Sequence, residues 1–424
     1  MTVGEVFSRL ADIEWLNPML RALTGAYGWF HPFLLRVDEP SSGIVERRAT
    51  TIQGWFAAPF DSEQVSLQLA DVSLTWTPVE RKDVAQIFGR SARGFRAIAD
   101  LDEIASKAPA MSAETKLDLV VDGAVRASKP LRLLHCNPAS VQAAAHKRAE
   151  KREWLKAHLA CPRCGSNARM LEFTHAQVQC KSCGSSFADD GKVFRFLPED
   201  FKREFNIADW NDISAHGYDE TAREVIEEVR RKGGKVLDCG SGLRSETDET
   251  VICLELDAFP NVDVLGVNQK LPFPDGVFDA VLSLNVLEHV TDPFACAAEL
   301  ARVLKPGGIL YCCVPFLQPE HGYPDHYFNA TRSGLRQLFA RELELARHFV
   351  PRSGEPVWSL HWFLSRYVLG LAGAERAEFL KMRVEDLLTD TPLASLQKPW
   401  VTRLDEESKW RLAASTAALF KKGP

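Results

Sequence analysis

Three groups of residues in this 424-residue chain have the type and spacing to do chemistry. The first is Cys161-Pro162-Arg163-Cys164, followed after a 15-residue interval by Cys180-Lys181-Ser182-Cys183. Two such knuckles can gather four thiolates tetrahedrally round one zinc ion, leaving no open position, so the ion would brace the fold and do no chemistry. Redox-active C-x-x-C is the competing reading, but it needs one pair; here there are two, each followed by glycine (Gly165, Gly184). The second group is Asp238-Cys239-Gly240-Ser241-Gly242, a glycine turn in which backbone can approach a ligand closely. The third is the Gly/Pro-punctuated run from His321 to Asn329. Neutral His321 or His326 could deprotonate a hydroxyl as general base, while Tyr323, Tyr327 and Phe328 could stack on a sugar ring. His321, Asp325 and His326 are also metal-ligand types, although nothing in their spacing fixes a geometry.

These residues need a frame, and the pattern between Lys235 and Phe339 supplies one. KVLDCGSG (Lys235–Gly242), TVICLELD (Thr250–Asp257), LPFPDGVFDAVLSLNVLEHV (Leu271–Val290) and RVLKPGGILYCCVPF (Arg302–Phe316) each carry a short continuous apolar run closed by Gly, Pro or Asp. Runs of that kind, separated by helical patterns, are what parallel strands buried on both faces look like. In such a sheet the ligand sits outside the carboxyl ends of the strands, where the glycine turn and the histidine run would both lie. Few residues separate Gly242 from the next strand, so the usual connecting helix must be short or missing.

The order of the pieces is more specific than any one of them. Asp238-x-Gly240-x-Gly242, VLEHV (Val286–Val290) and RVLKPGG (Arg302–Gly308) together resemble the class I S-adenosylmethionine-dependent methyltransferases, over about residues 205–350. The resemblance implies that Asp238, Gly240, Ser241 and Gly242 meet the methionine part of the cofactor. Glu255 would take the ribose hydroxyls, with Asp257 as runner-up. Val267 stands where the family commonly carries an acid for the adenine amine, so Asn268 or Gln269 would substitute, beside Leu271. Asn285, Val286 and Glu288 would line the methionine side, and His289 would either support that loop or act as a base. The flanks of the cysteines, HLACPRCGS and CKSCGSSFADDGKVFRFLPED, resemble the small zinc-ribbon subunit that activates methyltransferases in trans. Fused ahead of the catalytic unit, the ribbon would work in cis.

Composition bounds the rest. No apolar run approaches the ~18 residues of a membrane span. A net charge of −6 without a long basic run disfavours a nucleic-acid surface. The first residues show no secretory pattern, and of ten cysteines four form the two C-x-x-C pairs while the other six, mostly within apolar strands, read as small buried hydrophobes, which points to a reducing cytoplasmic setting. The expected architecture is multidomain: a helical segment (1–45), a β-sandwich (46–137), a helical linker (138–157), a zinc ribbon (158–200), a doubly wound Rossmann-like α/β methyltransferase domain (201–352) and C-terminal helices (353–424), one of which could be a dimer surface. Period-two stretches such as VSLQLADVSLTW (Val65–Trp76) carry the sandwich, which resembles the Ig-like domain beside bacterial glycan-modifying enzymes. The function expected is O-methylation of a sugar in a surface polysaccharide or its precursor. RNA or protein acceptors, and a non-catalytic binding module, are the alternatives.

Overall fold

The computed structural model describes residues 33–413 except 43, 46–48, 59–63, 80–83, 85–91, 108–113, 134–137, 208–214, 216, 245–247, 323–324 and 390–391. Most of the expected N-terminal helical segment lies outside the described residues, and so does Tyr323. Within that segment Leu34–Glu39 is a strand, not a helix, because it pairs with Ala49–Ala57.

Among the described residues nine strands build the N-terminal part: β1 (Leu34–Glu39), β2 (Ile44–Val45), β3 (Ala49–Ala57), β4 (Val65–Leu69), β5 (Val72–Ser73), β6 (Thr75–Val79), β7 (Ala92–Asp100), β8 (Glu114–Val121) and β9 (Ala124–Leu133). They form two sheets, β1-β3-β7-β6 and β2-β9-β8-β4-β5. Alternate residues point inward, so Ile52, Phe56, Phe95, Leu67, Leu69, Leu117, Leu119 and Leu131 share one buried core. Asp122 and Gly123, both at positive φ, make the tight β8–β9 turn. Helix α1 (Leu101–Lys107) follows β7, and α2 (Pro138–His158) leads out of the sandwich.

The segment expected to form the ribbon shares a sheet with the α/β strands. Its strands β10 (Leu171–Phe173), β11 (Gln177–Cys180), β12 (Ser186–Asp189) and β13 (Phe194–Arg195) run directly into the α/β sheet. That sheet adds β14 (Val236–Cys239), β15 (Val251–Glu255), β16 (Val264–Leu265), β17 (Phe278–Leu284) and β18 (Leu304–Cys313), giving the order β10-β11-β12-β13-β16-β15-β14-β17-β18. The joint is the parallel pair Phe194↔Val264 and Arg195↔Leu265. From β13 to β18 every neighbour pair is parallel, so the carboxyl ends of β14, β15, β16, β17 and β18 share one rim.

Both faces of the sheet are covered, which accounts for the uninterrupted apolar runs. On one side lie α2 and α5 (Pro293–Arg302), with Leu155, Cys296 and Leu300 in a core shared with Leu237, Ile252 and Phe278. Helix α3 (Glu199–Glu204) follows the ribbon and buries Phe201. On the other face α4 (Glu220–Arg231) buries Ala222, Ile226 and Val229 against Val236, Val251 and Leu282. Each fully buried aliphatic side chain there is worth ~1.5–3 kcal/mol. Asp219 caps α4 by accepting from the Ala222 N–H, and its other oxygen takes the Tyr311 hydroxyl at 2.6 Å, tying the helix start to β18. Helix α2 holds ribbon and sheet together. Arg152 pairs with Asp189 and lies over the Phe194 ring, and Lys151, buried, sits 2.6 Å from Asp263.

Beyond β18 come α6 (Arg332–Phe339), α7 (Pro356–Leu369), α8 (Gly373–Phe379) and α9 (Val384–Thr389). Helix α7 leaves Val357, Trp358, Leu360 and Leu369 well exposed. The chain leaves helical geometry between α8 and α9.

Candidate active site

The site grows from the end of β14. Gly240 has φ +73° and Gly242 φ +60°, conformations that side-chained residues rarely adopt. A Cβ on Gly240 would lie 2.6 Å from Val286 Cγ2, so the missing side chain lets the loop after β17 close onto the turn. No helix follows: among the described residues β14 and β15 are joined by irregular chain. Leu243 and Arg244 fold inward instead and are buried.

Arg244 was not foreseen as a site residue, and neither was Tyr218. Both bind Asp238, which is fully buried. Asp238 Oδ2 accepts from the Tyr218 hydroxyl at 2.7 Å, from Arg244 Nε at 3.1 Å and from the other Arg244 arm at 3.0 Å. Its Oδ1 is buried without a partner. Asn261 locks the turn as well, donating to the Gly242 carbonyl at 2.9 Å and accepting from the Arg244 N–H at 3.0 Å. Ser241 is buried, its hydroxyl turned to the Gly242 carbonyl.

Glu255 ends β15 beside this turn. Its Oε1 accepts the Gly242 N–H at 3.1 Å and its Oε2 the Leu256 N–H. Burial pushes the carboxyl up to about 7, against the pull of those two N–H groups. Val267 and Leu243 are buried in one apolar cluster with Leu256 packed alongside, and Asn268 is buried next to it. Leu271 is placed differently: it packs in the core with α2 and α5, and its N–H is held by Glu299 at 2.8 Å.

The loop after β17 brings the remaining groups. Asn285 has φ +56°, and its N–H donates to the Cys313 carbonyl at 2.9 Å. Glu288 is fully buried, and neither carboxylate oxygen has a hydrogen-bond partner. Burial pushes this carboxyl up to about 8. Its carbonyl accepts the N–H groups of Tyr327 (2.7 Å) and Phe328 (3.2 Å), which pins the histidine run against the rim.

Three imidazoles then cluster, with His289–His321, His289–His326 and His321–His326 centroids at 5.3, 5.7 and 4.5 Å. Their hydrogen bonds fix the tautomers. His289 Nδ1–H donates to the Asp325 carbonyl and His321 Nδ1–H to the Pro319 carbonyl, each at 2.9 Å, so both Nε2 atoms keep a lone pair. His326 accepts the His321 N–H at Nδ1 and donates from Nε2 to Asn329 Oδ1, so neither of its nitrogens is free to act as a base. Burial holds His321 down at about 4 and lowers His289, so both rings are neutral near pH 7. Tyr327 accepts from Asn206 at 2.9 Å and donates to Asp325 at 3.1 Å. Trp362 of α7, also unforeseen, packs 4.8 Å from His321 and is 37% exposed, as Phe328 is 43% exposed.

At the far end of the sheet the four cysteine sulfurs lie within 4.8 Å of one another. The knuckles are alike: Gly165 N–H donates to the Cys161 carbonyl and Gly184 N–H to the Cys180 carbonyl, each at 2.8 Å. Hydrogen bonding from Ser166 holds the Cys164 thiol down at about 6, which favours the ligating thiolate. The set could hold a tetrahedral metal ion.

Residues 246–312 match a family profile described as a methyltransferase domain. The match contains Glu255, Asn268 and the Asn285–His289 loop, and begins after the glycine turn. An uncharacterized methyltransferase of Schizosaccharomyces pombe is 48% identical over 63 residues, 15% of this chain and 23% of that protein. A Mycobacterium tuberculosis protein named as a probable S-adenosylmethionine-dependent methyltransferase is 32% identical over 100 residues, 22% of this chain and 36% of that protein. The chain thus spans about a third or less of the length of these relatives. A solved complex of the Haloferax volcanii Trm112 methyltransferase activator with a methyltransferase aligns at 22% identity and TM-score 0.25, covering 31% of this chain and 71% of that one. The matched residues lie within the parallel sheet, so the α/β part of the chain contains a stretch similar to a methyltransferase domain.

Proposed function

We propose that the chain transfers a methyl group from S-adenosylmethionine to a hydroxyl of a sugar in a surface polysaccharide or its precursor, in the cytoplasm, with structural zinc on Cys161, Cys164, Cys180 and Cys183. The observation that carries this is the convergence on one rim of the glycine turn, the strand-end Glu255 and two imidazole lone pairs. The residues fit the cofactor. Asp238 Oδ1, buried and unpartnered, would accept from its ammonium; Glu255 would accept from the ribose hydroxyls; and the Leu243–Val267 cluster offers the base an apolar wall. When bound, the cofactor supplies a methyl group already activated by a sulfonium.

The chain's own task is alignment and proton removal. An acceptor hydroxyl reaching the histidine pole gives up its proton there. Its oxygen bonds to the methyl carbon as the carbon–sulfur bond breaks, and that electron pair stays with sulfur. Trp362 and Phe328 present exposed ring faces beside the histidines, and such faces suit the C–H side of a sugar. A turnover assay with S-adenosylmethionine against panels of sugar, RNA and protein acceptors tests the reading. Formation of the demethylated cofactor with sugar acceptors supports it; turnover on RNA or protein alone would overturn the acceptor class.

A further inference from the structure

We propose that Glu288, His289 and His321 form a metal site separate from the four cysteines, binding a divalent transition ion next to the acceptor position. Each residue offers one ligand atom, and the three atoms lie within 4.8 Å of one another. Two imidazoles and one carboxylate are a donor set that divalent zinc, iron and manganese accept.

Three features mark the cluster as built for a cation. Glu288 is completely buried, yet both its oxygens lack a hydrogen-bond donor; the nearest cationic candidate, His289 Nε2, is 3.8 Å from Oε1, too far for a hydrogen bond. A buried carboxylate left so is costly without a countercharge. Each histidine also spends its Nδ1–H on a backbone carbonyl, Asp325 for His289 and Pro319 for His321. Metal-bound histidines are held in just this way, with the second nitrogen donating to a carbonyl so that the lone pair of the first is aimed at the ion. Finally, Gly322 makes room for the ring. A Cβ there would sit 2.3 Å from His289 Cε1, and its φ of +82° excludes most side chains anyway.

An ion at ~2.0–2.2 Å from each ligand brings the donors within about 3.5 Å of one another, a closure of roughly an ångström for the loop that carries His321. Three protein ligands leave an open position, as in catalytic rather than structural sites. With the ion bound, its two imidazole ligands no longer serve as bases, and the cation would take over their part by stabilising the alkoxide of an acceptor hydroxyl that gives its proton to water. This use of the site rests on the methyltransferase reading; the site itself does not.

The test is titration of Co2+ into full-length protein dialysed against a mild chelator, with elemental analysis of zinc on the same sample. We expect one equivalent of Co2+ per chain beyond the ribbon zinc, with weak visible d–d absorption and no thiolate charge-transfer band. His321→Ala and Glu288→Gln should each weaken uptake by at least about tenfold while the zinc content stays unchanged. His321 is on a loop, so its variant stays informative if the buried Glu288 variant fails to fold. No saturable Co2+ uptake by wild type, or uptake indifferent to His321→Ala, overturns the site. Calorimetry with S-adenosylhomocysteine separates the two readings. Nucleoside binding without Co2+ uptake overturns the metal site alone, whereas Co2+ uptake without nucleoside binding keeps the site and overturns the methyltransferase assignment.

Discussion

If Glu255 receives the ribose hydroxyls, cofactor affinity must depend on its charge. Burial holds this carboxyl at about 7 in the ligand-free chain. Two hydroxyls donating to it favour the anion, so the bound state prefers the deprotonated form and binding releases a proton. The sign follows: affinity rises with pH up to the free-state value and levels off above it. With a midpoint of about 7, about one chain in eleven carries the anion at pH 6 and about ten in eleven at pH 8. Affinity should therefore climb about tenfold over that range, or about 1.4 kcal/mol. Isothermal calorimetry with S-adenosylhomocysteine at several pH values, in two buffers of different ionisation enthalpy, measures both the affinity and the released proton. Glu255→Gln should bind more weakly and lose the component due to this residue, while any titration of the ligand's own ammonium persists in both proteins. Equal pH profiles for wild type and Glu255→Gln would refute the role of Glu255.

Three further outcomes follow from particular contacts. Lys151→Met leaves Asp263 buried without its 2.6 Å partner and should cost ~3–5 kcal/mol, read as a lower urea midpoint. Cys164→Ser should release zinc and lower the melting temperature, since metal binding and local folding are coupled; elemental analysis checks the first effect and calorimetric unfolding the second. Gly240→Ala forces a side chain into φ +73° and against Val286, a conformational cost of ~1–2 kcal/mol before the clash, and should weaken nucleoside binding. Adding Val286→Ala should recover part of that loss.

The central strands were legible because burial on both faces leaves a continuous apolar signature, and β14, β15 and β17 carry it. The absent helix after Gly242 could be read from chain length alone. The union of ribbon and sheet could not, since it depends on a two-residue pairing between Phe194-Arg195 and Val264-Leu265, and strand pairing over such separations leaves no local mark. The same holds for Tyr218 and Arg244 on Asp238. Arg244 offered a faint cue as a cation just after the turn, and Tyr218 offered none, because only the placement of α4 brings it there. The histidine run stood out by composition, but which nitrogens stay free depends on the carbonyls of Asp325 and Pro319 and on Asn329. Helix α7 is apolar in sequence, yet Val357, Trp358, Leu360 and Leu369 stay exposed in the folded chain.

Binding of S-adenosylmethionine itself tests the central claim most directly, since the proposed function has the glycine turn, Asp238, Glu255 and the histidine pole all serve that one ligand. Calorimetry on the wild-type chain should give one saturable site per chain, with Asp238→Ala abolishing it. Wild-type protein that takes up neither S-adenosylmethionine nor S-adenosylhomocysteine at high micromolar concentration would contradict the account.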